Sequence, residues 1–154
     1  MKTILYTLAL FTLFSFATTK ENTSSVDWQT DYEKVLKKAK KEKKNVLVYF
    51  TGSDWCPPCK MLKRDLFETD AFKQLSSEYV LLYVDIPRNK DIISPELYSQ
   101  NKSLLPKYNK KGVFPLLAVL SENGVLLDDY SGYSMNGEIQ YHFCLLYTSD
   151  AADE

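Results

Sequence analysis

Two cysteines separated by two prolines, Cys56-Pro57-Pro58-Cys59, follow the apolar run Val46-Leu47-Val48-Tyr49-Phe50 and open the segment from Lys60 to Thr69. A strand is therefore expected to hand over to a helix at the thiols, which sets the local topology at the centre of the chain. Two intervening residues bring the sulfurs close enough to close a small disulfide ring, and the helix start aims unpaired N–H groups at the first sulfur. Such pairs lower a thiol from about 8.5 to roughly 3.5–7.5, so Cys56 is expected to ionise, stay exposed and attack. Cys59, one turn inward, is the expected resolving thiol. Pro57 and Pro58 fall where a helix has no acceptor for their missing N–H groups. The competing reading of the motif is half of a zinc site. Zinc would need a second pair of ligands, and only His142 and Cys144 are available outside the motif. No metal and no cofactor other than the disulfide itself is expected.

With 154 residues, 45% of them apolar and 25% charged, the chain has the length and apolar content for one globular domain with a real core. A net charge of −1 gives no pull toward nucleic acid or an anionic membrane surface. Met1-Lys2, the apolar stretch Ile4 to Phe16 and the small-x-small triplet Ser15-Phe16-Ala17 read as an export signal over residues 1–17. Thirteen apolar residues fall short of the roughly twenty that span a bilayer, so cleavage rather than anchoring is expected. Residues 18–26 read as a polar linker and 27–143 as the domain. The last eleven residues, Cys144 to Glu154, read in register as the translation of a transposase sequencing adapter, which would end the natural sequence near Phe143 and truncate its final helix.

Thr30-Asp31-Tyr32-Glu33 fits a capping box for a helix running to about Lys43, with Val35, Leu36 and Ala39 inward and the lysines solvated. Asn45 to Thr51 and Tyr79 to Asp85 read as buried parallel strands on either side of the motif helix, with Asp70 capping a short continuation of that helix. Ser94-Pro95-Glu96 starts another helix, which presents Leu97, Leu104, Leu105 and Tyr108 and is expected to kink or break at Pro106. Leu116 to Leu120 and Val125 to Tyr130 form a hairpin across Ser121-Glu122-Asn123-Gly124. A last helix starts around Ser134 to Asn136 and carries Ile139 and Phe143 on one face. The sum is an α/β domain with a central mixed four-stranded sheet, βαβ then ββα, flanked by helices and preceded by an extra one.

Over roughly Trp28 to Phe143 these residues resemble the thioredoxin superfamily. The resemblance rests on Phe50-Thr51-Gly52-Ser53-Asp54-Trp55-Cys56-Pro57-Pro58-Cys59-Lys60, on Val84-Asp85, and on Gly112-Val113-Phe114-Pro115. It is similar in particular to exported bacterial thioredoxin-like proteins, including the C-terminal domain of the periplasmic transmembrane disulfide reductase. The resemblance implies a thioredoxin fold, a cis Pro115, and a substrate groove in which Phe114 and Pro115 hold an extended chain beside Trp55, with Val113 as a further lining residue. The chain departs from the family at Tyr49, which stands where many thioredoxins carry a buried Asp that takes the resolving thiol's proton. Asp54 and Lys60 read as solvated flanks.

The implied activity is that of an exported thiol-disulfide oxidoreductase, monomeric, periplasmic or secreted, acting on protein thiols and disulfides and recharged by an upstream redox partner. Neither nucleic acid nor stable membrane insertion is implied. The other reading is a non-enzymatic module of the same fold that keeps the disulfide as a staple. Pro-Pro in place of Gly-Pro leaves the direction of electron flow open.

Overall fold

The computed structural model describes residues 26–133 and 138–150. The expected export segment, most of the polar linker, the expected start of the last helix at Ser134 to Asn136 and the final four residues lie outside them.

Element order follows the hydrophobic pattern. A two-residue strand β1 (Trp28–Gln29) leads into helix α1 (Tyr32–Glu42) and strand β2 (Asn45–Thr51). Helix α2 (Pro57–Leu62) continues as a π-type turn over Lys63–Phe67, and helix α3 (Asp70–Leu75) precedes strand β3 (Tyr79–Asp85). Helix α4 (Pro95–Tyr108), strands β4 (Leu116–Leu120) and β5 (Leu126–Ser131) and helix α5 (Gln140–Asp150) complete the fold. The sheet order is β1-β3-β2-β4-β5, with β3 parallel to both β1 and β2 and the β2-β4 and β4-β5 pairs antiparallel. The four expected strands are thus joined by a fifth. β1 is too short to show a period, and it adds at the edge by pairing Trp28 and Gln29 with Leu81 and Leu82.

Every residue of β2 is buried, because helices cover both faces of the sheet. Toward α1 and α4 it gives Val46, Val48 and Phe50, which pack with Val35, Ala39, Leu82 and Leu104. Leu47 and Tyr49 point the other way, into a core with Leu62, Phe67, Phe72, Leu117 and Leu146. Trp28, Tyr49, Phe67, Phe72 and Tyr83 form a ring cluster there, with neighbouring centroids 4.7–6.2 Å apart.

Several helix ends differ from expectation by one residue. Asp31 rather than Thr30 caps α1, accepting from Lys34 N at 3.0 Å, and Thr69 rather than Asp70 caps α3. Pro106 neither breaks nor ends α4, which runs on to Tyr108. Pro106 and Lys102 are both exposed, so the Lys102 carbonyl that loses its N–H partner faces water instead of a dry interior. The hairpin strand begins at Leu126 rather than Val125, because Val125 O closes the turn on Ser121 N and Gly124 takes φ 78°. The segment after Phe143 continues α5, and Leu145 and Leu146 are buried against the sheet.

Candidate active site

The turn between β2 and α2 is built by cross-strand contacts. The Asp85 carboxylate, at the end of β3, accepts from Ser53 N at 2.9 Å and from Ser53 Oγ at 2.5 Å. Ile86 N bonds Thr51 O, and the Trp55 indole N–H reaches back to Ile86 O at 2.8 Å. Gly52 is needed where the indole lies, since a Cβ there would fall among the Trp55 ring atoms. Asp54 is exposed, as expected of a flank, yet it is not free. Its carboxylate accepts from Arg88 N at 3.0 and 3.1 Å and from Asn89 N at 2.9 Å. Those N–H groups, Asn89 first, hold it below its ordinary carboxylate range. Lys60 is exposed, as expected.

Cys56 and Cys59 are joined as a disulfide, with their Cα atoms 5.3 Å apart. Cys56 is the N-cap of α2 and its Sγ accepts from Cys59 N at 3.3 Å, so the first sulfur sits against the open N–H groups of the helix. The expected exposure of Cys56 is not seen. With the ring closed and Trp55 and Phe114 packed alongside, it is 3% exposed against 1% for Cys59. The asymmetry visible in the closed ring is one of place, with Cys56 capping α2 and Cys59 inside its first turn.

The Phe114-Pro115 peptide bond is cis. Phe114 meets Trp55 edge to face with centroids 5.3 Å apart, which brings the segment before β4 onto the motif. Trp55, Phe114 and Pro115 are thus gathered with the cysteines. Val113 is not. It packs toward the α1/α4 core, where the Asn109 side chain binds both its N–H and its carbonyl. Tyr49, at the position of the family's acid, is 1% exposed and its hydroxyl donates to Cys59 O at 2.9 Å. Burial pushes this phenol well above its ordinary range, so it stays protonated at neutral pH.

The two other zinc candidates lie apart from this turn on α5. His142 is buried between the rings of Tyr130 and Tyr133, and Cys144 is exposed. Among the described residues no three His, Cys, Asp or Glu side chains gather as a metal site would need.

Of the residues singled out in the sequence, the structure joins the two cysteines, sets Trp55 against Phe114 and makes the Phe114-Pro115 bond cis. Sequence reasoning missed the clamp in which Asp85 holds Ser53 and Asp54 holds Arg88 and Asn89, pairs that lie 32, 34 and 35 positions apart. The one signal available was the Val84-Asp85 strand end.

The chain is similar to known proteins. The thioredoxin-like family pattern matches residues 27–121. Among curated relatives, the thioredoxin-related protein DsbJ of Chlamydia pneumoniae is 30% identical over 122 residues, which are 79% of this chain and 34% of that protein. The disulfide bond reductase DsbH of the same organism is 28% identical over 102 residues, 66% of this chain and 60% of the relative. The chain thus spans about a third and three fifths of these two relatives' lengths. Of the solved structures, a DsbH oxidoreductase superposes with a TM-score of 0.71 at 23% identity, covering 85% of this chain and 88% of that one. A thioredoxin from Thermus thermophilus gives 0.61 at 18%, covering 82% and 88%. At those identities the likeness speaks for the fold, and the family match extends over more than half of the sequence: the chain belongs to the thioredoxin-like family.

Proposed function

We propose that this protein is an exported thiol-disulfide oxidoreductase acting on protein disulfides through Cys56 and Cys59. The observation that carries this reading is the disulfide capping α2 beside Trp55, whose ring meets the residue preceding a cis proline. In the reductive direction the Cys56 thiolate attacks one sulfur of a substrate disulfide, forms a mixed disulfide and releases the first substrate thiolate. Cys59 then attacks Cys56 Sγ, the second substrate thiolate leaves, and the protein is left with the closed ring described above. Two electrons pass to the substrate, and an upstream redox partner returns them.

Tyr49, protonated and tied to Cys59 O, is a poor base for the Cys59 proton. We assign that proton to the departing substrate thiolate and give Tyr49 the task of positioning the first turn of α2. The Phe114 backbone, Pro115 and Trp55 hold the extended substrate segment. The reaction needs no metal, flavin or nucleotide. One relative's description as a disulfide bond reductase supports reduction as the working direction. The apolar segment at residues 4–16 supports export to the periplasm or medium. Among the described residues no helix is long and apolar enough to cross a membrane.

The low exposure of Cys56 favours the second reading, a binding module with a structural disulfide. Insulin reduction in the presence of a small dithiol separates the two. Catalysed reduction that disappears in Cys56→Ala supports the enzyme, and no rate above the dithiol alone supports the module. The reduction potential then gives the direction, with about −270 mV marking a reductant of the thioredoxin kind and about −120 mV a strong oxidant.

A further inference from the structure

Between the motif and the loop after β3 lies a cation that the chemistry above does not use. Arg88 is exposed, and its guanidinium carbon lies 4.9 Å from the centroid of the Trp55 ring. Its place is fixed from three sides. The Asp54 carboxylate holds its backbone N–H, the same carboxylate holds Asn89 N, and the Trp55 indole holds Ile86 O. The Asp54 carboxylate feels the Arg88 charge, but the hydrogen bonds it accepts come from those backbone donors, and among the described residues the Arg88 guanidinium makes no ion pair.

The result is a guanidinium pinned over the tryptophan that immediately precedes Cys56, while that same tryptophan meets Phe114 before the cis Pro115. A planar guanidinium over an indole keeps its N–H edges free, and those edges match a carboxylate in two parallel hydrogen bonds. Lys90, two residues further on, leans over Tyr98 at 5.5 Å and adds positive charge to the same loop. Asp91 follows it in the chain and is the one acid between Ile86 and Ser94.

We propose that Arg88 is a specificity-determining residue: held over Trp55 beside the dithiol, it selects protein substrates that carry an Asp or Glu side chain next to the reactive cysteine. This rests on the oxidoreductase reading of the same site. Trp55 supplies the apolar wall and Arg88 its charged edge, so a substrate segment lying along Phe114 and Pro115 presents its flanking side chain to the guanidinium. Because the contact is solvent-exposed, its effect is moderate, about fivefold at low salt, and shrinks as salt is added.

The test uses the full chain and two disulfide-linked peptides that differ only in a Glu or a Lys flanking the cysteine. Wild type should reduce the Glu peptide with about a fivefold higher kcat/KM. The preference should vanish in Arg88→Gln, persist in part in Arg88→Lys and reverse in Arg88→Glu, while turnover of a small uncharged disulfide stays level across the series. A Glu-to-Lys ratio unchanged by Arg88→Gln and Arg88→Glu would overturn the assignment. The same peptides with serine in place of cysteine give a readout free of electron transfer, by anisotropy of a label on the peptide. Failure to reduce either peptide counts against the oxidoreductase reading, and the binding arm still decides Arg88. Tighter binding of the Glu peptide that is lost in Arg88→Gln supports it, and equal binding refutes it.

Discussion

Strand β2 supplies alternate residues to two interiors of different chemistry. The α1/α4 side receives Val46, Val48 and Phe50 and is mostly aliphatic; its polar groups are Asn101, whose amide donates to Asp85 O at 2.9 Å, and the hydroxyls of Tyr32 and Tyr108, paired at 2.6 Å. The α2/α3/α5 side receives Leu47 and Tyr49 and holds the disulfide, five packed aromatic rings and a buried imidazole. Two of its tyrosine hydroxyls are tied to backbone at depth, Tyr49 to Cys59 O and Tyr79 to Leu146 O. One face therefore supplies cohesion that ignores redox state. The other has its packing and its sulfur chemistry in the same place.

The largest effect expected from this contrast is on the aliphatic face. Phe50→Ala should cost about 3–5 kcal/mol, in equal measure for the oxidised and reduced protein, by denaturant unfolding of each form. A cost that depends on redox state would break the division between faces.

A smaller effect belongs to His142 on the other side. Among the described residues neither of its ring nitrogens makes a well-formed hydrogen bond, and burial lowers its pKa from the ordinary 6.5 to about 4, with a weak opposing pull from the Gly132 backbone. The unfolded chain then binds a proton that the folded chain refuses between those values. The stability this group contributes is complete above about pH 6.5, falls through the window and is gone near pH 4, a loss of roughly 3 kcal/mol. His142→Phe, which keeps an aromatic ring between Tyr130 and Tyr133, should flatten that part of the profile. A slope unchanged in the variant would assign it to other groups.

Smaller again is the loss of one hydroxyl. Tyr49→Phe removes one of the two donors on Cys59 O, leaving Lys63 N, and should cost about 1 kcal/mol. It should also lengthen the life of the mixed disulfide, since the first turn of α2 loses its anchor. Tyr32→Phe, the matching deletion on the aliphatic face, should leave that lifetime unchanged. Equal behaviour of the two variants would deny Tyr49 a positioning role.

What could be read from the sequence divides along similar lines. β2 and β3 were legible to the residue because a strand buried on both faces is a continuous apolar run with polar ends. The dithiol was legible because its chemistry demands a fixed spacing, and Trp55 and Pro115 were legible through the resemblance to the thioredoxin superfamily. β1 was not, since two residues carry no period. The persistence of α4 through Pro106 depended on that turn facing water, which the residue type alone does not reveal. The clamp of Asp54 and Asp85, the burial of Cys56 and the turning away of Val113 depend on contacts between distant segments. Tyr49 was visible as a departure from the family, but its partner became visible only once α2 was seen lying across β2. The final helix shows a further limit. A segment read as adapter-derived still places Leu145 and Leu146 against the sheet, because two adjacent leucines satisfy any open apolar face.

The central claim is that the two sulfurs differ by their place in the helix and not by their exposure. Trapping tests it most directly. Cys59→Ala, reduced and mixed with an oxidised protein substrate, should accumulate a mixed disulfide through Cys56 that is resolved by mass, because attack still occurs while resolution cannot. Cys56→Ala should trap little, although Cys59 remains a free thiol. Equal trapping by the two variants, or trapping through Cys59 alone, would contradict the account.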